Sequence, residues 1–234
     1  MQICLFDIDG TLLRSGGAGK AAMESALQEI FEVTLATDQV SYSGRTDRAI
    51  GRDLFRIHGV ELNQTNWVRF IDAYLARLPA YLESMQGTIC PGIGELLDEL
   101  DRWPDITVSL LTGNLRAGAQ VKLGHFGLHE RFLFGGFGDH HWERDDVAFE
   151  AVQAITSHLG ISISPQNIWV IGDTPLDIRC ARAIGARAVA VATGWDDATI
   201  LSAANPDLLL NDLSDPTPFL TMLKAGRLAT NDGA

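Results

Sequence analysis

The chain predicts an α/β fold, a doubly wound parallel sheet interrupted near its start by a small helical insertion. Three observations carry this: short apolar runs without alternation, helical patterns between them, and one long stretch after the first run that holds helices alone. The strand-like runs are Gln2–Phe6, Thr107–Leu111, Phe132–Gly135, Ile168–Ile171, Ala188–Ala192 and Leu208–Leu210, bounded by Gly, Asp, Asn or Pro. A strand with one wet face alternates apolar with polar residues. One covered on both faces does not, and parallel sheets are built of such strands. Helical patterns fall at Gly94–Trp103, Arg116–Phe126, Asp145–Leu159, Pro175–Ile184 and Pro216–Leu223. Strand and helix in alternation build βαβ units and an open, Rossmann-like sheet.

The interval from Gly16 to Gln86 breaks this rhythm. Ala18–Phe31, Thr46–His58 and Trp67–Ser84 read as helices, with Asn63-Gln64-Thr65-Asn66 supplying a turn and cap before the third. A connection this long carries structure of its own. We therefore expect residues 1–14 and 89–234 to form the α/β core and residues 15–88 a helical cap domain. The glycine-rich joints Ser15–Gly19 and Gln86–Gly92 would be the two strands of a hinge. The last residues, Thr230–Ala234, are expected to fray.

The composition is that of an ordinary globular chain of 234 residues, 46% hydrophobic and 21% charged. A formal net charge of -12 argues against nucleic acid or an anionic membrane as partner. It leaves room for a small anionic substrate, because a local metal ion reverses the sign of the field. No apolar stretch approaches membrane-spanning length, and no basic region followed by a long apolar run opens the chain, so no signal peptide is expected. Cys4, Cys90 and Cys180 have no zinc-type spacing and fit a reducing, cytoplasmic setting.

The chemistry starts in Phe6-Asp7-Ile8-Asp9-Gly10-Thr11. Residues two apart in an extended chain share a side, so Asp7 and Asp9 begin near one another at the carboxyl end of a buried strand. Open α/β sheets place their active sites at that end. Two carboxylates there repel unless a cation or a proton intervenes. The turn reads as a nucleophile, a metal ligand and an acid/base in one place. Three later strand ends add to it. Thr112-Gly113-Asn114 offers a hydroxyl and an amide, with Gly113 freeing the backbone to approach an anion. Asp173-Thr174-Pro175-Leu176-Asp177 puts one acid on a turn and a second two residues into a helix begun by Pro175. Phe137–Arg144 ends on a cation.

These features, in this order, resemble the haloacid dehalogenase-like hydrolase superfamily, in its phosphatase branch with a helical cap after the first strand. Phosphoglycolate-phosphatase-like members are most similar, and the resemblance covers nearly the whole chain. It implies a Mg²⁺-dependent phosphatase acting on a small phosphorylated metabolite. Asp7 would attack phosphorus and form an aspartyl-phosphate. Asp9 would start protonated, protonate the leaving alcohol and then activate water. Asp7, the backbone carbonyl of Asp9 and Asp173 would hold Mg²⁺, with Asp177 close by or acting through water. Thr112, Gly113 and Asn114 would bind phosphoryl oxygens. Arg144 would take the place of the family's motif-three cation, more often a lysine, with Lys122 as its rival from inside a helix pattern. Arg45, in Ser43-Gly44-Arg45-Thr46-Asp47, stands where related caps reach over the active site, and would contact substrate. A phosphomutase shares the Asp7/Asp9 pair, and a low-turnover phospho-ligand sensor shares the fold. The sequence leaves the oligomeric state open.

Plainer readings compete. Asp7 and Asp9 suit an ordinary turn, Thr112 a helix cap, and Asp177 a first-turn acid favoured by the helix dipole. His140 and His141 suggest a metal site, but no ligands of matching softness accompany them. Gly16-Gly17-Ala18-Gly19-Lys20 fails as a phosphate-binding loop, since Ala21 stands where a hydroxyl is needed.

Overall fold

The computed structural model describes residues 1–36 and 39–231, with side chains of the last helix described through Gly226. In chain order the elements are β1 (Gln2–Phe6), β2 (Leu13–Arg14), α1 (Ala18–Phe31), α2 (Asp47–Ile57), α3 (Gln64–Ser84), β3 (Thr88–Ile89), α4 (Ile93–Leu100), β4 (Ile106–Leu111), α5 (Arg116–His125), β5 (Gly135–Gly136), α6 (Arg144–Leu159), β6 (Ile168–Gly172), α7 (Pro175–Ala183), β7 (Arg187–Val191), α8 (Ala198–Ala203), β8 (Leu208–Leu210) and α9 (Thr217–Asn231). The helix α9 includes Thr230 and Asn231, whereas 232–234, where fraying was expected, lie outside the described residues.

Six strands form a parallel sheet in the order β5-β4-β1-β6-β7-β8. The chain runs outward from β1 to β5, then returns to β6 on the far side of β1. At such a switch point a crevice opens beyond the carboxyl ends of the strands. Phe6 is in register with both Leu110 and Ile171. The segments leaving the three central strands therefore emerge together on one edge.

Every residue of β1 is buried. Cys4 and Phe6 point into a core with Ile93, Leu97, Trp169 and Phe219. Ile3 and Leu5 point the other way, toward Val147, Ala151 and Ile178. Burial on both faces is why the strands show no alternation. A third core joins Met23, Leu27, Leu54, Phe55, Phe70 and Leu78 of α1–α3, with Leu115 packed against them. β2 and β3 pair antiparallel, so the chain enters and leaves this helical part side by side.

Besides the β2–β3 pair, which no strand-like run announced, two elements differ from expectation. The run Phe132–Gly135 contributes only β5, displaced to Gly135–Gly136. A 3₁₀ turn at His129–Arg131 precedes it, and Leu133 is 74% exposed. A β-carbon at Gly136 would overlap the backbone carbonyl of Val147 in α6, and one at Gly135 would crowd Leu110. The ladder forms where glycine lets the helix and the neighbouring strand close in. The short helix α8 had no apolar periodicity to announce it, and Asp197 caps it by accepting from Thr199 N and Ile200 N at 2.8 and 3.0 Å.

Trp169 ties β1, β6 and α9 together. It is fully buried, donates from Nε1 to Gln2 Oε1 at 2.7 Å, and meets Phe219 edge-on. Trp169→Ala is expected to destabilise the fold by ~3–5 kcal/mol, read as a lower urea midpoint with an unchanged slope.

Candidate active site

Three acids meet beyond the central strands. Asp7 follows β1, Asp173 follows β6, and Asp177 stands in the first turn of α7. They are 4%, 2% and 2% exposed, and their ligand oxygens all lie within 4.8 Å of one another. Local backbone makes this approach possible. Gly10, in the left-handed region at φ +86, and Gly194 both lie where a β-carbon would overlap the Asp173 carboxylate. Thr11 Oγ1 donates to Asp173 Oδ1 at 3.0 Å. Asp177 also closes a capping box on α7, accepting from Thr174 N at 3.0 Å and Thr174 Oγ1 at 2.8 Å. Its plain reading and its place at the site hold together.

Arg144, the first residue of α6, is buried beside these acids. Its Nη2 lies 2.6 Å from Asp177 Oδ1 and 2.8 Å from Asp7 Oδ1. Only the first is well directed as a hydrogen bond, so Asp7 Oδ1 is buried with no hydrogen-bond partner. Burial raises the Asp7 carboxyl to about 6 against the pull of Arg144, and Asp177 and Asp9 add to the rise. Burial and the charges of Asp177 and Asp7 raise Asp173 well above the usual range. Three oxygen donors, one of them ion-paired but with no well-directed hydrogen bond, and two carboxyls resisting ionisation, fit a hard divalent cation. Among the described residues this is the one cluster of three such ligands. His140 and His141 join no other, and His141 Nε2 pairs with Glu150 Oε2 at 2.8 Å.

Asp9 faces a second cation. Lys122 Nζ reaches its Oδ2 at 2.6 Å, Asn114 Nδ2 donates to the same oxygen at 2.8 Å, and Ser15 Oγ to Oδ1 at 3.3 Å. Burial would raise this carboxyl, but the Lys122 charge and these hydrogen bonds outweigh it and hold it below its usual value. The two carboxyls of the opening motif are pushed apart in the opposite sense to expectation. Arg144 and Lys122 are thus not alternatives in space: one meets Asp7, the other Asp9. Lys122 Nζ also donates to Asn114 Oδ1 at 2.6 Å. Gly19 of α1 stands where a β-carbon would come within 3.2 Å of Nζ.

Thr112 is fully buried, and its Oγ1 accepts from Asn114 N and Nδ2 at 3.3 and 2.8 Å. It is not the cap of α5, whose N-cap is Leu115. Gly113 and Asn114 line the cavity directly. Leu115 N donates instead to Asp47 Oδ2, at 2.8 Å, across from the helical part. Further bonds join the parts there, among them Asp47 N to Gly113 O at 2.7 Å and Arg144 Nη1 to Gly44 O at 3.2 Å. Arg45 lines the same cavity, but its Nη2 is paired with Asp53 Oδ2 at 2.7 Å.

The cavity has a volume of about 900 Å³. Sequence reasoning gave no place at the site to Asp47, Ser15 or Trp195, which also line it. Nor did it see that Lys122 belongs beside Asp9. Lys122 did carry a signal: the buried face of α5 is Gly118, Ala119, Lys122 and Leu123, a lysine inside an apolar stripe. Asp47 looked like any first-turn acid.

Known proteins share this fold. The family description "Haloacid dehalogenase-like hydrolase" matches residues 4–191. The chain belongs to that family. Among curated relatives, the phosphoglycolate phosphatase of Synechococcus elongatus is 26% identical over 95% of this chain and 99% of its own. That of Pseudomonas putida is 24% identical over 94% and 83%. Among solved structures, CbbY from Rhodobacter sphaeroides in complex with phosphate aligns at TM-score 0.73 with 18% identity, covering 92% of this chain and 96% of that one. A hydrolase from Pseudomonas syringae aligns at 0.73 with 21% identity, covering 95% and 99%. Within the family the chain falls in the phosphoglycolate-phosphatase-like branch and is a hydrolase of phosphatase type.

Burial pushes the Asp47 carboxyl up to about 6, although Lys122 and the Leu115 amide pull it down. The unfolded value is about 3.9, so the folded chain binds more protons between the two. Stability from this group therefore falls as pH rises from about 4 to about 6 and is level above. Asp47→Asn keeps an acceptor for Leu115 N, and its melting temperature is expected to depend less on pH across that window than that of the unsubstituted chain.

Proposed function

We propose that this chain is a Mg²⁺-dependent phosphatase that hydrolyses a phosphate monoester of a small metabolite through an aspartyl-phosphate on Asp7. The observation that carries the reading is the convergence of Asp7, Asp173 and Asp177 within 4.8 Å, at the strand end that also holds Asp9. Asp7, Asp173 and the backbone carbonyl of Asp9 would hold the cation, with Asp177 beside them. When bound, it would offset the repulsion between carboxylates and a phosphate dianion and stabilise charge on the phosphoryl oxygens.

The chain's own groups account for the remaining steps. Asp7 is the nucleophile, and Arg144 holds it in place while balancing its charge. The backbone amides around Gly113 receive phosphoryl oxygens, while the Asn114 side chain, its Nδ2 given to Asp9 and Thr112, holds Asp9 in place. Asp9 has to carry a proton when the alcohol leaves. An arriving phosphate dianion adds negative charge and engages Lys122, and both effects raise Asp9 toward that state. Having given its proton to the leaving oxygen, Asp9 takes one from the water that attacks the aspartyl-phosphate. The helical cap, residues 15–88, closes over the site to exclude bulk water and reopens for release, turning on the β2–β3 joints.

Asp7→Asn is expected to lower phosphate release from a para-nitrophenyl phosphate and phosphoglycolate panel by at least about 1,000-fold while the chain stays folded, with a cooperative melting transition. EDTA should silence the unsubstituted enzyme and Mg²⁺ restore it. Full activity of the variant, or sugar-phosphate isomer in place of free phosphate, would contradict the reading. Lys122→Met is expected to lower kcat about 100-fold, in the range of acid–base assistance, measured by steady-state phosphate release at fixed Mg²⁺.

A further inference from the structure

The cavity is wider than its reacting groups need. Its roughly 900 Å³ stands near the top of the range, about 300–1,000 Å³, of pockets that enclose drug-sized ligands. The acids and cations described above account for its floor. Part of its wall is apolar, with Met23, Tyr42, Ile50 and Trp195 lining it. Trp195 is 89% exposed, and a bared indole at the mouth of a cavity is a surface that a ligand ring can cover.

The loop carrying Trp195 is fastened to the reaction centre. Thr193 Oγ1 donates to Gly10 O at 2.6 Å, and Gly194 lies so close to the Asp173 carboxylate that no β-carbon would fit. The indole is thus one residue from a contact with a proposed metal ligand. Arg14 stands at the same wall, its Nε donating to Thr193 O at 2.6 Å. Among the described residues that is its one side-chain hydrogen bond, and it forms no ion pair there. Its remaining guanidinium donors are available to a ligand.

Resting on the phosphatase reading, we propose that Trp195 and Arg14 form a leaving-group subsite. The preferred substrate is a phosphate monoester whose alcohol part carries a planar ring, stacked on the indole with an acceptor edge toward Arg14. Stacked aromatic pairs and planar guanidinium contacts supply both halves of that recognition. No new chemistry is required: the ester P–O bond breaks as proposed above, and the ring-bearing alcohol takes the proton from Asp9.

The test uses benzylphosphonate and methylphosphonate, which cannot be hydrolysed, titrated into the full chain with Mg²⁺ and followed by calorimetry and tryptophan fluorescence. Benzylphosphonate should bind about tenfold tighter and quench emission. Trp195→Ala, at an exposed position, should erase that advantage and the quench while leaving methylphosphonate affinity unchanged. Trp195→Phe should retain part of the advantage. Arg14→Gln should weaken 4-carboxybenzylphosphonate more than benzylphosphonate. Equal affinities for the two phosphonates, or an advantage that survives Trp195→Ala, would overturn the subsite and leave the phosphatase reading standing. So would a dimer in sedimentation that Trp195→Ala dissociates with no change in phosphonate binding. No phosphate release from any ester, with benzylphosphonate still bound through Trp195, would instead overturn the reaction and uphold the subsite.

Discussion

Burying three carboxylates in one place is the constraint around which this molecule is arranged. Each ion removed from water costs several kcal/mol unless its charge is answered. Asp7, Asp173 and Asp177 are nearly inaccessible, yet Arg144 is the cation in direct contact with them among the described residues. The consequence is visible in the upward displacement of Asp7 and Asp173. A fold seeking stability alone would not keep such a cluster. The parallel sheet makes it because Phe6, Leu110 and Ile171 stand in register, delivering the residues after them to one edge.

The helical part is drawn into the same balance of charge. Arg144 holds Asp7 and Asp177 and also donates to Gly44 O of the α1–α2 connection. Asp47 caps the start of α5 from across the cleft and stands near Lys122, which in turn holds Asp9. Gly113 packs directly beneath the Arg45 carbonyl. Separation of the two parts would therefore uncouple contacts to both acids of the opening motif. In the proposed cycle, closure of the cap and readiness for reaction would share one set of bonds.

Much of this was legible in the sequence, for identifiable reasons. The apolar strands and amphipathic helices announce themselves through burial on two faces or one, and Ala18–Phe31 was bounded as it is found. Asp7, Asp9, Asp173 and Asp177 could be linked because strand ends in a parallel sheet have a common direction. What escaped depended on reach across space. Lys122 is two turns into α5, and its long side chain returns to Asp9 through room left by Gly19 on another helix. The predicted pairing of Arg45 with substrate overlooked Asp53, about two helical turns further along the chain. The strand around Phe132 shrank to two glycines because the approach of α6, rather than apolar pattern, decides where that ladder can form.

In the proposed arrangement Asp7 and Asp173 hold a divalent cation, with Asp177 beside them. Calorimetric titration of Mg²⁺ into the metal-stripped chain tests it most directly. One site per chain is expected, abolished by Asp173→Asn without loss of fold. Equal Mg²⁺ binding by that variant, or none by the unsubstituted chain, would contradict the account.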